Sequence, residues 1–365
     1  MIKHLKYFDW PLFAAAVLLA LAGLLMIYST GLESVSESNL WLKQLLAFVI
    51  GIVGLFFFSS IDYRLLRRGS SVFYLLAAVL LIVVLIFGLE IRGARRWLDF
   101  SFINFQPAEF SKLALLILLA KYCQLRKPLL LKFRHVLLSF MYVAVPVILI
   151  MWQPDLGSAI VHLSIWLGIL LLSNMPRRYF LYLLVIFLLA ATLSWSFLLQ
   201  DYQKDRLRSF VDPASDPLGR SYNLIQSIVA VGSGGLFGRG LARGLQSQLR
   251  FLPERQTDFI FASTVEELGI LGGGFILALL LFLLYRIMRI VNRARDSFGT
   301  YVSGGIFFLI FTQTIINIGM NLGLLPVTGI TLPFLSYGGS SLVITFWSIG
   351  ILENVAKNAV PVRFG

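Results

Sequence analysis

Ten nearly unbroken apolar runs, each about long enough to cross a hydrocarbon core, divide the chain, with short polar segments and one long one between them. The runs predict helices at about 11–30, 41–59, 71–89, 108–123, 136–152, 156–174, 178–199, 261–288, 300–321 and 332–355. The expected fold class is all-α and polytopic: one integral membrane domain over 1–365, with about ten transmembrane helices and a long outer loop at about 200–260 between helices seven and eight. Lys3 and Lys6, with Ala20-Leu21-Ala22, imitate a signal peptide. The run continues to Ile27 and nine more follow, so the first helix is expected to be retained.

Composition agrees with the pattern. The 365 residues are 58% hydrophobic and 13% charged, where a soluble domain carries about 25% charge. Such a chain cannot clothe a water-soluble surface, which excludes a soluble enzyme, a secreted disulfide scaffold and a disordered protein. The single cysteine, Cys123, permits no internal disulfide. His4, His135 and His162 are dispersed; no metal cluster is visible and no cofactor is expected, a divalent cation having no support in the sequence.

The net charge of +13 points to an anionic membrane or an anionic substrate, not to nucleic acid. With both termini on one side, that side collects 18 of the 31 basic residues, against only Asp9, Asp62, Asp296 and Glu353, and is therefore expected to be cytoplasmic. The other thirteen are concentrated outside. Arg92, Arg95 and Arg96 share one loop, and Lys43 and Lys112 sit at helix mouths. Lys204, Arg206, Arg208, Arg220, Arg239, Arg243, Arg250 and Arg255 fall in the long loop. A long loop crosses regardless of charge and its own acids can pair with these cations; the functional alternative is an outward site for a phosphate.

Several outer motifs carry candidate chemistry. The long loop begins with an amphipathic segment at Asp201–Arg208, turns at Asp212–Gly219, and holds an apolar stretch, Tyr222–Val231, able to re-enter the bilayer. Its glycine-rich end, 232–240, either cradles an anion with backbone N–H groups or simply turns. Asp258 enters helix eight directly; it caps the helix, or it is a half-shielded base beside Arg255 that takes a proton from a sugar hydroxyl. Glu266 and Glu267, deeper in the span, are candidates because acids there are costly. Glu109 and Lys112, three apart after Pro107, share a helix face as an ordinary pair or as a binding pair. Arg96 and Trp97 suit a phosphate and a sugar ring, or in Trp97's case an interfacial anchor. Asp155 lies in the turn Gln153-Pro154-Asp155-Leu156-Gly157. Glycines and prolines between Asn317 and Ser341 break two helix ends, which suits a groove or close small-residue packing.

On these residues the chain resembles the SEDS family (shape, elongation, division and sporulation), and its RodA branch rather than FtsW. The likeness runs over nearly the whole chain and is densest at 94–112, 153–157, 201–269 and 317–341. Departures are small: Ala108, Ser158 and Thr331 stand where Ser, Thr and Pro are common. The resemblance implies polymerisation of lipid II into β-1,4 glycan strands at the outer face of the bacterial cytoplasmic membrane during cell elongation. It implies Asp258 as the essential acid, and Glu109, Lys112, Arg96, Trp97 and Asp155 as motif residues. Arg96, Lys112, Arg239, Arg243 and Arg255 are expected to neutralise the departing pyrophosphate, and the motif residues with these arginines to make up the substrate site. The partner it implies is a class B penicillin-binding protein transpeptidase. Two other functions fit the frame: a flippase for the lipid precursor, and a non-catalytic scaffold of the elongation machinery.

Overall fold

The computed structural model describes residues 8–359 apart from 33–38, 92–93, 100–103, 128–131, 174, 198–200, 215 and 220. Lys3, Lys6, His4, Arg92, Arg220 and Arg363 lie outside the described residues, as does the side chain of Arg206. All ten apolar runs are helical: α1 (Trp10–Gly31), α2 (Leu40–Ser60), α3 (Tyr63–Phe87), α4 (Pro107–Leu125), α5 (Phe133–Trp152), α6 (Leu156–Leu171), α7 (Arg177–Phe197), α11 (Ile260–Arg293), α12 (Ser297–Asn321) and α13 (Gly339–Ala359). The long loop adds α8 (Asp201–Val211), α9 (Tyr222–Ser233) and α10 (Leu245–Gln248). Among the described residues, seven helices are long and apolar enough to cross a membrane. α4, which carries Glu109, Lys112 and Lys121, the shorter α6, and α7 are the other three of the ten helices.

Two helix starts differ from the apolar runs for local reasons. Asp62 accepts a hydrogen bond from the Arg64 amide at 2.9 Å, so α3 begins at Tyr63, eight residues ahead of the hydrophobic signal. α13 begins only at Gly339, because Phe334 after Pro333 has φ 66° and the Ser336 hydroxyl accepts from the Leu332 amide at 2.8 Å. The polar connection from α3 to α4 adds a small antiparallel sheet to the helical frame, β1 (Leu89–Ile91), β2 (Ala94–Asp99) and β3 (Asn104–Phe105), in the order β1-β2-β3.

Between apolar helices in lipid there is no hydrophobic driving force, so close packing has to supply the attraction. The pairing of α2 with α13 shows how. A Cβ on Gly54 would lie 1.8 Å from the Trp347 indole nitrogen, and one on Gly350 would lie 2.4 Å from the Leu55 carbonyl oxygen. α12 lies centrally against α4, α6 and α11. α7 is peripheral: Leu181, Leu184, Phe187 and Leu189 are exposed, and its start is held by Phe133 against Tyr179 and Tyr182, ring centroids 5.2 and 5.7 Å apart.

Polar residues collect at both ends of the bundle. At the end where α1, α3 and α12 begin and α11 and α13 finish, Arg286 pairs with Asp9 at 2.5 Å, the Asp9 amide donates to Glu353 at 2.7 Å, and the Tyr63 hydroxyl donates to Asp296 at 3.0 Å. These contacts join helix ends far apart in sequence. The candidate site residues all lie at the opposite end.

Candidate active site

The segment before α11 folds back on itself. Glu254 takes φ 53°, and the Thr257 hydroxyl donates to the Glu254 carboxylate at 2.7 Å. The N-cap position of α11 falls on Phe259, whose side chain makes no cap, and not on Thr257 or Asp258 as the spacing suggested. Instead Asn321 Oδ1 accepts from the Ala262 amide at 2.9 Å, satisfying one N–H of the first turn from another helix. The same Asn321, through Nδ2, donates to the Asp258 carbonyl at 2.9 Å, and Asn317 Nδ2 donates to it at 3.0 Å. Four residues apart, the two amides share one face of α12 and grip the backbone of Asp258.

The Asp258 side chain is half-buried beside Gly329, where a Cβ would lie 3.6 Å from Oδ2. The 331–338 loop holds the same turn. Ser336 Oγ donates to the Thr257 carbonyl at 2.6 Å and the Tyr337 amide to the Gln256 carbonyl at 2.8 Å. Gln44 of α2 then clamps this loop, donating to the Ser336 carbonyl and accepting from the Gly338 amide, each at 3.1 Å. Burial pushes the Tyr337 phenol above the ordinary tyrosine range, so it remains protonated.

A second polar cluster joins α4 to α6. Lys112 Nζ lies 2.7 Å from Glu109 Oε1, with side chains only 2% and 8% exposed, so this is a buried ion pair rather than a surface one. Asp155 caps α6, accepting from the Ser158 amide at 3.0 Å and its hydroxyl at 2.9 Å, and also takes a bond from Gln106 Nε2 at 3.3 Å. His162, fully buried, links the Ser158 carbonyl at 2.7 Å to the Ser111 hydroxyl at 2.8 Å on α4. Arg96 on β2 donates to the carbonyls of Gln153 (2.9 Å) and Pro154, which pins the sheet to the turn carrying Asp155. Trp97, next to it, is half-buried.

The two clusters border one piece of chain. Gly157 packs against the Thr328 carbonyl and Ile330, on either side of the Gly329 that adjoins Asp258. Ser340 accepts from the Gln106 amide at 3.0 Å and donates to the Asn104 carbonyl at 2.9 Å. The segment 328–341 is therefore the partition that brings Glu109, Lys112, Asp155 and Arg96 to the same end and neighbourhood as Asp258.

The glycine-rich segment is engaged elsewhere. α11 is broken at Gly269 (φ 73°, ψ −177°). The Glu266 and Glu267 carbonyls, deprived of helical partners, accept from the Arg239 and Gly240 amides, both at 3.0 Å. The freed amides of Ile270 and Leu271 donate to Gly235 and Leu236 at 2.9 and 3.2 Å. Loop and helix thus exchange hydrogen bonds two for two. A Cβ on Gly238 would lie 2.2 Å from the Glu267 carbonyl oxygen, and one on Gly269 would lie 2.3 Å from that of Leu236. The amides of Gly238, Arg239 and Gly240 are all bonded within the protein, so this backbone is a helix splice and not an anion cradle.

Glu266 and Glu267 complete the splice. Both are fully buried. Glu266 accepts from the amides of Gln246 (2.7 Å) and Ser247 (3.0 Å). Glu267 accepts from Ser29 Oγ, the Ala242 amide (3.2 Å) and Gln248 Nε2 (3.1 Å). They are acids of the loop's architecture. Of the arginines, Arg255 is buried with Nε 3.2 Å from the Thr30 carbonyl, whereas Arg239 and Arg243 are exposed on the splice. Elsewhere in the loop, Arg208 pairs with Asp205 at 3.4 Å.

Sequence reasoning singled out no role for Asn317, Asn321, Gln44 or His162. Asn317 and Asn321 had a signal, two amides four apart near the end of an apolar helix; an isolated Gln44 or His162 had none. Among the described residues no group of three or more His, Cys, Asp or Glu is placed to hold a metal ion.

Comparison with known proteins agrees with this geometry. The sequence pattern of the FtsW/RodA/SpoVE cell cycle protein family matches residues 9–360. The peptidoglycan glycosyltransferase MrdB of Escherichia coli (strain K12) is 36% identical over 341 residues, 93% of this chain and 92% of that protein. Stage V sporulation protein E of Bacillus subtilis (strain 168) is 38% identical over 357 residues, 96% and 97% of the two chains. A chain from a solved structure concerning polymerization and crosslinking by a peptidoglycan synthase complex superposes with TM-score 0.82 and 31% identity, covering 96% of this chain and 98% of that one. The crystal structure of the rod shape determining protein RodA of Thermus thermophilus gives TM-score 0.73 and 27% identity, covering 97% and 98%. A family pattern that spans both clusters and the splice, on a fold shared from end to end, leaves one assignment: the chain belongs to the SEDS family of cell cycle proteins, on its RodA branch.

Proposed function

We propose that this chain polymerises lipid II into β-1,4 glycan during cell elongation, with Asp258 as the general base. As a SEDS protein of the RodA branch it is a peptidoglycan glycosyltransferase. The observation that carries the assignment of the base is the placement of Asp258: a half-buried acid at the mouth of a membrane helix, beside Gly329, with its backbone carbonyl gripped by Asn317 and Asn321.

Asp258 takes the proton from the acceptor GlcNAc 4-hydroxyl as its oxygen attacks C1 of the donor MurNAc. The bond from C1 to the pyrophosphate breaks, undecaprenyl pyrophosphate leaves, and the anomeric centre inverts in a single displacement. Lys112, oriented by Glu109, supplies positive charge toward the departing pyrophosphate together with Arg255; Arg239 and Arg243, expected to join them, stand instead on the splice at the level of Glu266 and are left out of that role. Arg96 adds its charge while bracing the Asp155 turn, and Trp97 offers its face to a sugar. Arg286, Arg289 and Arg293 support a cytoplasmic far end of α11, and with it an outward Asp258. A class B penicillin-binding protein is the partner that would cross-link the product.

Purified Asp258→Asn supplied with labelled lipid II should lose about 10²–10⁴-fold in rate while still folding and inserting. Near-normal glycan synthesis by that variant would remove Asp258 from the chemistry. Wild-type protein that leaves lipid II monomeric with its partner present would instead favour a transporter.

A further inference from the structure

The splice at Gly269 places a loop at a definite depth. Arg286, paired with Asp9, marks one edge of the apolar span of α11. At about 1.5 Å per residue Ile270 stands about 24 Å from it, inside a hydrocarbon core about 30 Å thick. Ile270 and Leu271 are 57% and 59% exposed there, on a helix that crosses the membrane, so their side chains meet acyl chains. The amides of these two residues are bonded to Gly235 and Leu236. Leu236 and Phe237, 62% and 80% exposed, are therefore at the same level, and Leu241 is exposed close by.

The charged residues of the segment sit one rung further out. The Arg239 amide is bonded to the Glu266 carbonyl, on the far side of the Gly269 break from Arg286, and so lies outward of the level of Ile270, toward the edge of the core. Arg239 and Arg243 are exposed there, and residues 235–250 contain three arginines and no acid. The nearby acids, Glu266 and Glu267, are turned inward onto backbone amides.

We propose that residues 235–243 form a bilayer wedge: Leu236, Phe237 and Leu241 enter the outer leaflet beside α11, and Arg239 and Arg243 bind the phosphates of anionic glycerophospholipid around it. The wedge is continuous with the lipid-facing surface of α11, and its charge is complementary to that leaflet's phosphates. The proposal rests on the splice and holds whether or not Asp258 is the base.

The test uses the full chain in nanodiscs of phosphatidylethanolamine and phosphatidylglycerol, free of lipid II. Cys123→Ser removes the single cysteine, and Phe237→Cys carries a bimane label. The expected result is blue-shifted emission, quenched more by a nitroxide high on a lipid acyl chain than by aqueous iodide. The same label at Leu218→Cys, on a turn 89% exposed, gives the reverse. Nitroxide carried on phosphatidylglycerol should quench position 237 more than the same nitroxide on phosphatidylcholine, with local enrichment up to about fivefold per arginine. The combined Arg239→Gln and Arg243→Gln variant should abolish that excess. Stronger quenching by iodide overturns the wedge, as does protection from both quenchers, which would mean a protein covers the loop. An equal response to the two headgroups overturns the phosphate contacts. Should Phe237→Cys fail to fold, Leu241→Cys gives the same readout.

Discussion

Replacing Glu266 by glutamine tests whether the deep acids hold the loop. The Glu266 carboxylate places one oxygen on the Gln246 amide at 2.7 Å and the other on the Ser247 amide at 3.0 Å. A glutamine keeps one acceptor and turns an NH2 group toward the other N–H. That leaves a buried donor unsatisfied, at a cost of about 1–3 kcal/mol, and the remaining bond loses its charge assistance, worth about 1 kcal/mol more. The sum, about 2–4 kcal/mol, corresponds to roughly a 30- to 1000-fold shift in the local opening equilibrium. Hydrogen exchange in nanodiscs, followed by mass spectrometry over 240–250, reads that shift at the amides of Gln246 and Ser247, with 342–352 in α13 as the internal reference. Faster exchange confined to the loop is the expected result. Exchange within about threefold of wild type would show that Glu266 does not fasten the loop, and the architectural assignment of both deep acids would fail.

Three other perturbations separate holding from chemistry. Lys112→Ala strands the Glu109 carboxylate in a dry site and should destabilise by about 3–5 kcal/mol, read as a fall in melting temperature. The double variant Glu109→Gln with Lys112→Met should recover most of that loss without recovering lipid II polymerisation; recovery of both would make the pair structural only. Gly269→Ala puts a methyl 2.3 Å from the Leu236 carbonyl at φ 73°, at a cost of at least about 1–2 kcal/mol, and should speed exchange at the amides of Arg239, Gly240, Ile270 and Leu271. Asn321→Ala removes both the acceptor for Ala262 and a donor to the Asp258 carbonyl, so kcat should fall more than KM changes, although Asp258 itself is intact.

The polar end of the bundle divides its labour. Side chains that touch one another or the backbone, such as Asn317, Asn321, Gln44, Asp155 and Glu266, set the positions of loops that would otherwise lie in lipid with unsatisfied amides. That scaffold grips Asp258 by its backbone carbonyl. It also holds Lys112 through Glu109. A site made this way needs two helices, α11 and α12, to agree in register to within a hydrogen bond.

The ten helices follow from the sequence alone, because a run of apolar residues as long as the bilayer is thick has no other way to satisfy its backbone. The same local logic anticipated that Glu109 and Lys112 could pair and that Asp201–Arg208 is amphipathic, a segment that is helical as far as Val211. What only the tertiary structure decided concerns backbone groups whose partners lie far away along the chain. The apolar signal runs smoothly through Gly269, yet α11 breaks there because a loop some thirty residues upstream supplies replacement hydrogen bonds. Asp258 had the spacing of a helix cap, and α12 took over that task through Asn321. Glu266 and Glu267 read as chemistry because buried acids are costly, and they proved to be compensated by amides that only folding brings near. Periodicity reports which residues leave water; it carries no information about which distant donor meets which acceptor, and at this end of the bundle those meetings place the site.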